Sequence, residues 1–413
     1  MGSCDTKTVA DWLVNGARPA ADTPDVLSEL CDRLVGCGIP LWRVGLFLLT
    51  LHPHVMGQRF LWKSGSPVDV NSAPFEAFQT NEFQNSPVRR VIDTGVSVRR
   101  RLADKDCPID FTMLPQLREQ GVTDYLTVPL IFADGAAHGA TFATQDPRGF
   151  SDEQIDGLSS LAAPLSRVVE NRMLQRTACA LLDTYVGNKG GSRILAGQIR
   201  RGHVDSMNAV IWFSDMRGFT ALSERLAPQA LVDLLNRYFD CQVPSILDRG
   251  GEVLEYMGDG LLAVFLIAPD SDNAREVCKV ALEAAREARD AVARLSGRLK
   301  HHREDSRSPE DQGVRGVQFG VALHLGQVAY GNIGSRNRLK FTCVGQAMNL
   351  AARIEALTSP LHRTILASDE FAQQSPSRFV PVGEFQLKGF ATARTVFGLE
   401  EEKEQSLAHP ARP

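Results

Sequence analysis

The chain has 413 residues, enough for two or three domains. Its net charge of −4 excludes the strong basic excess of a nucleic-acid or membrane-surface binder. The longest apolar runs, 46–51 and 261–268, are far too short to cross a bilayer. Asp5 and Asp11 do not fit the basic-then-apolar layout of a signal peptide, so a cytoplasmic protein is expected. The 8 cysteines form no Cys-x-x-Cys pair and read as reduced thiols or core residues. His52, His54, His301 and His302 lack partners at metal spacing and read as surface histidines.

In chain order, residues 1–20 are polar with weak pattern. Val26, Leu27, Leu30 and Leu34 recur at helix spacing until Gly36 and Gly38 stop them. Residues 41–51 and 58–63 read as strands, 74–95 as mixed structure, and 124–132 with 139–144 as a strand pair around Ala133-Asp-Gly135. Ser151-Asp-Glu153 starts a helix with Ser151 as its cap. This order, clearest over 125–172, resembles a GAF-type sensor domain, which implies either a small ligand of unknown identity or a role in dimer contact. Residues 1–150 are therefore expected to form a GAF-like regulatory domain. Ile155, Leu158, Ala162, Leu165 and Val169 step by three and four. A helix buried in the sensor core has the same pattern, but a parallel two-helix connector over 151–203 is preferred because the catalytic half implied below needs a dimer. Gly187-Asn-Lys-Gly-Gly191 follows a helix rather than a strand, so it reads as a linker turn and not a phosphate loop.

The remainder alternates. Strands are expected at 207–214, 252–257, 261–267, 317–323, 327–330, 364–367, 380–388 and 394–398. Helices are expected at 223–247, 273–300 and 347–357, with 301–312 a charged surface loop and 401–413 a flexible tail. Strands interrupted by helices imply an α/β layer.

Two stretches carry the chemistry. Val210-Ile-Trp-Phe-Ser-Asp-Met-Arg-Gly-Phe-Thr220 ends an apolar run on Asp215 and turns into a helix start. Free N–H groups in such a turn point at anions. In Glu252-Val-Leu-Glu-Tyr-Met-Gly-Asp-Gly260, the Asp259-Gly260 pair sits at a hairpin turn. Two carboxylates at neighbouring strand ends can share two divalent cations, a way to handle a nucleoside triphosphate. Asn349 and Arg353, four apart, share one helix face.

Phe213-Ser-Asp-Met-Arg-Gly-Phe-Thr220, Gly258-Asp-Gly260 and Asn349-Leu-Ala-Ala-Arg353 together resemble the catalytic domain of the class III adenylate and guanylate cyclases. The resemblance covers residues 204–400. It implies an α+β, ferredoxin-like domain with helices on one face, acting as a homodimer with no nucleic-acid or membrane partner. It also implies that two cations, Mg²⁺ or Mn²⁺, are held by Asp215, Asp259 and the Met216 carbonyl. Gly218, Phe219 and Thr220 then offer N–H groups to phosphate, Asn349 and Arg353 serve the transition state, and Lys388 contacts the triphosphate.

Glu255 and Thr342 fall where the family reads the purine. Adenylate cyclases carry lysine at the first position. A glutamate instead accepts from guanine N1–H and N2–H₂, which favours GTP over ATP. Thr342 can serve either base, and an adenylate cyclase remains the close alternative. A catalytically inactive dimerisation protein is a third reading, opposed by the intact set of Asp215, Asp259, Asn349 and Arg353.

Overall fold

The computed structural model describes residues 5–50, 55–268, 273–305 and 316–402, without the side chains of 301–305. His52, His54, the side chains of His301 and His302, residues 306–312 of the expected surface loop and 403–413 of the expected tail lie outside the described residues. Contacts divide the chain into Met1–Leu181 and Leu182–Pro413.

The first unit runs α1 (Thr6–Val14), α2 (Thr23–Gly36), β1 (Arg43–Leu49), β2 (Gly57–Lys63), β3 (Ser66–Ala73), a 3-10 turn (Phe75–Gln79), α3 (Asn81–Gln84) and α4 (Pro87–Thr94). It continues through β4 (Val98–Arg100), α5 (Leu114–Glu119), β5 (Asp124–Ile131), β6 (Ala137–Thr144), α6 (Asp152–Ser160) and α7 (Ala162–Val186), which crosses the division between units. Its six strands form an antiparallel sheet in the order β3-β2-β1-β6-β5-β4. Side chains alternate across a strand, so Val44, Leu46, Phe60, Leu126 and Phe142 pack on one face against Val26 and Leu30 of α2.

Three expectations change here. The N-terminal segment is ordered: Asp5 caps α1 by accepting from the Lys7 N–H, and Val9 and Leu13 are buried. Leu158, Leu165 and Val169 are buried in this unit's core, with Ile155 and Ala162 packed against it. Their spacing therefore belongs to core packing and not to a free connector seam, so the first unit extends past residue 150. Cys37 is disulfide-bonded, which departs from the reading of the cysteines as reduced thiols or core residues, while Cys31, Cys107, Cys179, Cys241, Cys278 and Cys343 are free. Ser151 does cap α6, in a capping box completed by Gln154.

The second unit begins with α8 (Asn188–Leu195) and β7 (Val204–Met216), then α9 (Phe219–Ser223), α10 (Pro228–Phe239), α11 (Val243–Leu247), β8 (Glu252–Met257) and β9 (Gly260–Leu266). It closes with α12 (Ala274–Asp305), β10 (Phe319–Gly334), β11 (Leu339–Val344), α13 (Gln346–Glu355), β12 (Ile365–Ser368), α14 (Asp369–Gln374), β13 (Phe379–Phe385) and β14 (Arg394–Leu399). The sheet order is β13-β14-β12-β10-β7-β9-β8, with β11 pairing β10. Its central part, β10-β7-β9-β8, joined by α10–α11 and α12, has the β-α-β-β-α-β order of a ferredoxin-like split.

β7 is central and buried on both faces. Val210 and Trp212 meet Tyr238 of α10 and the close-packed alanines Ala281, Ala284, Ala285 and Ala288 of α12. Ala209 and Ile211 meet Ala347 and Ala351 of α13 on the other face. Helices thus cover both faces, which corrects the one-face expectation. The single helix expected over 223–247 is three, because Pro228 and Pro244 each sit in the first turn of a new helix. The two strands expected over 317–330 are one. Gly326 does not break it; its missing Cβ leaves room for Ala347, which a Cβ there would meet at 2.7 Å.

The expected linker turn at 187–191 is instead the start of α8, docked on the sheet. Buried Glu252 of β8 accepts from the Gly190 N–H at 3.0 Å and from the Tyr330 hydroxyl of β10 at 2.6 Å. Tyr330→Phe is expected to cost about 1.5–3 kcal/mol, the value of a hydrogen bond to a charged group. Urea unfolding measures it, and an unchanged midpoint would exclude this role for the pair.

Candidate active site

β7 carries Asp215 to its C-terminal end, opposite Gly320 of β10, while the β8–β9 turn supplies Asp259. The two carboxyl groups are close neighbours. Burial and the adjacent Asp259 carboxyl push the Asp215 pKa up to about 7, against the opposing Met216 N–H. A Cβ on Gly260 would stand 3.5 Å from the Asp215 Oδ1, so this glycine leaves space beside the carboxylate. Beneath Asp215, the Trp212 indole N–H donates to the Ser214 hydroxyl at 3.0 Å, which donates to Gln242 Oε1 at 2.7 Å. This buried chain fixes the strand end that aims Asp215.

Among the described residues, no group of three or more His, Cys, Asp or Glu side chains is arranged to hold a metal ion by itself. The pair nevertheless fits divalent cations. Two carboxyls forced together share a proton until a cation offsets both charges. The remaining ligands would come from backbone, water or substrate oxygens, as hard cations accept.

Two further residues were given no role from sequence: Glu355, which has no motif, and Arg217, which lies within the Phe213–Thr220 motif. Glu355, at the end of α13, is pushed up to about 7 by burial and by the charge of Asp215. Arg217 donates from Nη2 to the carbonyls of Thr358 at 3.0 Å and Arg363 at 2.6 Å, tying the end of β7 to the segment after α13. Only the fold brings Glu355 to Asp215, from 140 residues away in sequence.

Gly218 lies just after β7 with φ 73° and precedes Phe219 and Thr220 in the first turn of α9. Asn349 and Arg353 share the exposed face of α13. Lys388 is exposed in the β13–β14 connection. Glu255 of β8 forms an ion pair with Lys340 of β11, two residues before Thr342 on the same strand. The strands that carry Glu255 and Thr342 do not pair in the sheet but are joined by this ion pair. Among the described residues no hydrogen bond or ion pair joins Asp215 or Asp259 to Asn349, Arg353, Glu255, Thr342 or Lys388. Among the described residues there are thus two sets of groups with no bond between them: the Asp215–Asp259 pair, and the polar side chains of Asn349, Arg353, Glu255, Thr342 and Lys388.

Residues 203–401 match the family model described as "Adenylate and Guanylate cyclase catalytic domain". "Adenylate cyclase 1" of Rhizobium meliloti is 29% identical over 191 residues, 45% of this chain and 26% of that protein. "Adenylate cyclase" of Anabaena cylindrica is 31% identical over 171 residues, 41% of this chain and 31% of that protein. The chain spans about a quarter to a third of the length of these two relatives. The solved guanylyl cyclase Cya2 is 30% identical, with 48% of this chain and 93% of that chain covered and a TM-score of 0.39.

Proposed function

We propose, from the membership of residues 203–401 in the adenylate and guanylate cyclase catalytic-domain family, that this chain converts GTP to cyclic GMP and pyrophosphate. The observation that carries the reaction class is the closely placed Asp215–Asp259 carboxyl pair at the sheet's end. Two divalent cations, when bound, would lower the pKa of the ribose 3′ hydroxyl and offset triphosphate charge. Asp215, Asp259 and the Met216 carbonyl hold them. Gly218, Phe219 and Thr220 donate N–H groups to phosphate. Arg353 neutralises charge on the α-phosphoryl oxygens as pyrophosphate departs, Asn349 orients the ribose, and Lys388 meets the triphosphate. The two sets of groups are unjoined within one chain, which supports a site completed between two copies in a homodimer. The first unit, a six-stranded antiparallel sheet with helices, serves as the GAF-like regulatory part.

Glu255 supports GTP, since its carboxylate matches the two donors on the guanine edge. The relatives' names and Lys340 support ATP instead, because a lysine beside Glu255 offers a donor that suits adenine N1. Offering GTP and ATP separately with Mn²⁺ or Mg²⁺ and identifying the products decides between them, and absence of both products returns the chain to an inactive dimerisation protein. Wild type is expected to prefer GTP by about ten- to a hundredfold in kcat/KM, the value of one good base contact. Glu255→Lys is expected to lose most of that preference. A ratio unchanged by the substitution, or a wild type that prefers ATP, would remove Glu255 from the base.

A further inference from the structure

The six-stranded sheet of the first unit has one face closed by the core built on α2, α6 and α7. The opposite face holds a cleft of about 570 Å³, floored by β1, β2 and β3 and walled by the 3-10 turn, α3 and α4. That volume is in the range of small-molecule sites, roughly 300–1,000 Å³. Phe47, Phe78 and Phe83 give it flat apolar walls. Among its polar groups are Arg43, Arg59 and Tyr125.

The two arginines are short of partners. Among the described residues no carboxylate pairs with Arg43. Its guanidinium lies over the Trp42 ring at 5.3 Å, and burial and the nearby Arg59 weaken its hold on the proton. Arg59 gives Nη2 to Asp69 at 3.0 Å, but its Nε–H is buried without an acceptor. The Tyr125 hydroxyl is buried, 4.0 Å from the Met113 sulfur and beside the Thr127 and Thr141 side chains. The one acid lining the cleft is exposed Glu82. An uncompensated guanidinium and an unpaired guanidinium N–H in a half-buried cleft are costly unless an anion occupies it. Guanidinium groups prefer planar carboxylate or phosphate oxygens, and aromatic walls prefer a flat body.

We propose that this cleft binds a small organic anion with a flat apolar body, its carboxylate or phosphate held by Arg43 and Arg59 and the Tyr125 hydroxyl. The site stands on the cleft's own residues, whether or not the unit is of the GAF type and whichever nucleotide the second unit uses.

Calorimetric titration of the full chain with 1-naphthoate, 1-naphthyl phosphate and neutral 1-naphthalenemethanol tests it. At least one anion is expected to bind, at least about tenfold tighter than the alcohol. The tighter of the two identifies the head group. Arg43→Met is expected to weaken that anion by about tenfold or more, with Arg43→Lys intermediate and Lys63→Met, outside the cleft, unchanged. Without ligand, Arg43→Met is expected to melt no lower than wild type, since it removes an unpaired half-buried charge. If Arg43→Met melts lower, Arg43→Lys decides the outcome. Failure of both anions to bind below about 1 mM, equal binding of the alcohol, or affinity indifferent to Arg43 would each overturn the proposal.

Discussion

Asp215→Ala and Asp259→Ala are each expected to abolish turnover while the protein stays folded. Each removes half of the only carboxylate pair on which the cations would rest. A loss of at least about a thousandfold, roughly 4 kcal/mol of barrier, is expected. Stability should not fall with it. The pKa of Asp215 is raised to about 7 in the folded chain by burial and Asp259. The protonated carboxyl therefore favours folding below the ordinary carboxylate range, and that contribution is lost as pH rises through about 7. Asp215→Ala should then flatten the fall in melting temperature between pH 4 and about 7 in metal-free buffer. It should also remove any rise in melting temperature produced by Mn²⁺. Near-normal activity in either variant would end the two-cation reading.

Mixing two dead proteins is expected to restore activity. Arg353→Ala should lose about a hundred- to a thousandfold by removing the clamp on developing phosphoryl charge. If each site takes Asp215 and Asp259 from one copy and Asn349 and Arg353 from the other, an Asp215→Ala/Arg353→Ala dimer has one site with both lesions and one with none. Equal amounts mixed at random give half mixed dimers, and hence about a quarter of wild-type activity. Co-purified mixed dimers that remain inactive would show that the site does not span two copies.

What could be read before the fold was known follows from local chemistry. An apolar run ending on an acid, as at Val210–Asp215, and a Gly-Asp-Gly hairpin turn state their geometry within a few residues. The capping box at Ser151 is equally local. What escaped was set by distant packing. The strands expected at 317–323 and 327–330 are one, because Gly326 between them leaves room for Ala347. Leu158, Leu165 and Val169 have the spacing of a seam, but the surface they meet is their own unit's core. Strand β11 begins among exposed residues, and only its pairing with β10 makes it a strand. Glu355 carries no motif, and its importance rests on where α13 ends.

The docking of α8 on the sheet bears on where the catalytic unit can be cut. The family match begins at residue 203, downstream of α8. A fragment starting there would strip the Gly190 N–H from buried Glu252. It would also uncover the Phe341 ring, against which Gly190 packs so closely that a Cβ would stand 3.1 Å from it. Conserved chemistry and autonomous folding therefore have different N-terminal limits in this chain. A piece beginning near Leu182, where the second unit itself begins, keeps the helix that shields β8 and should express as a better-behaved protein than one trimmed to the motif boundary.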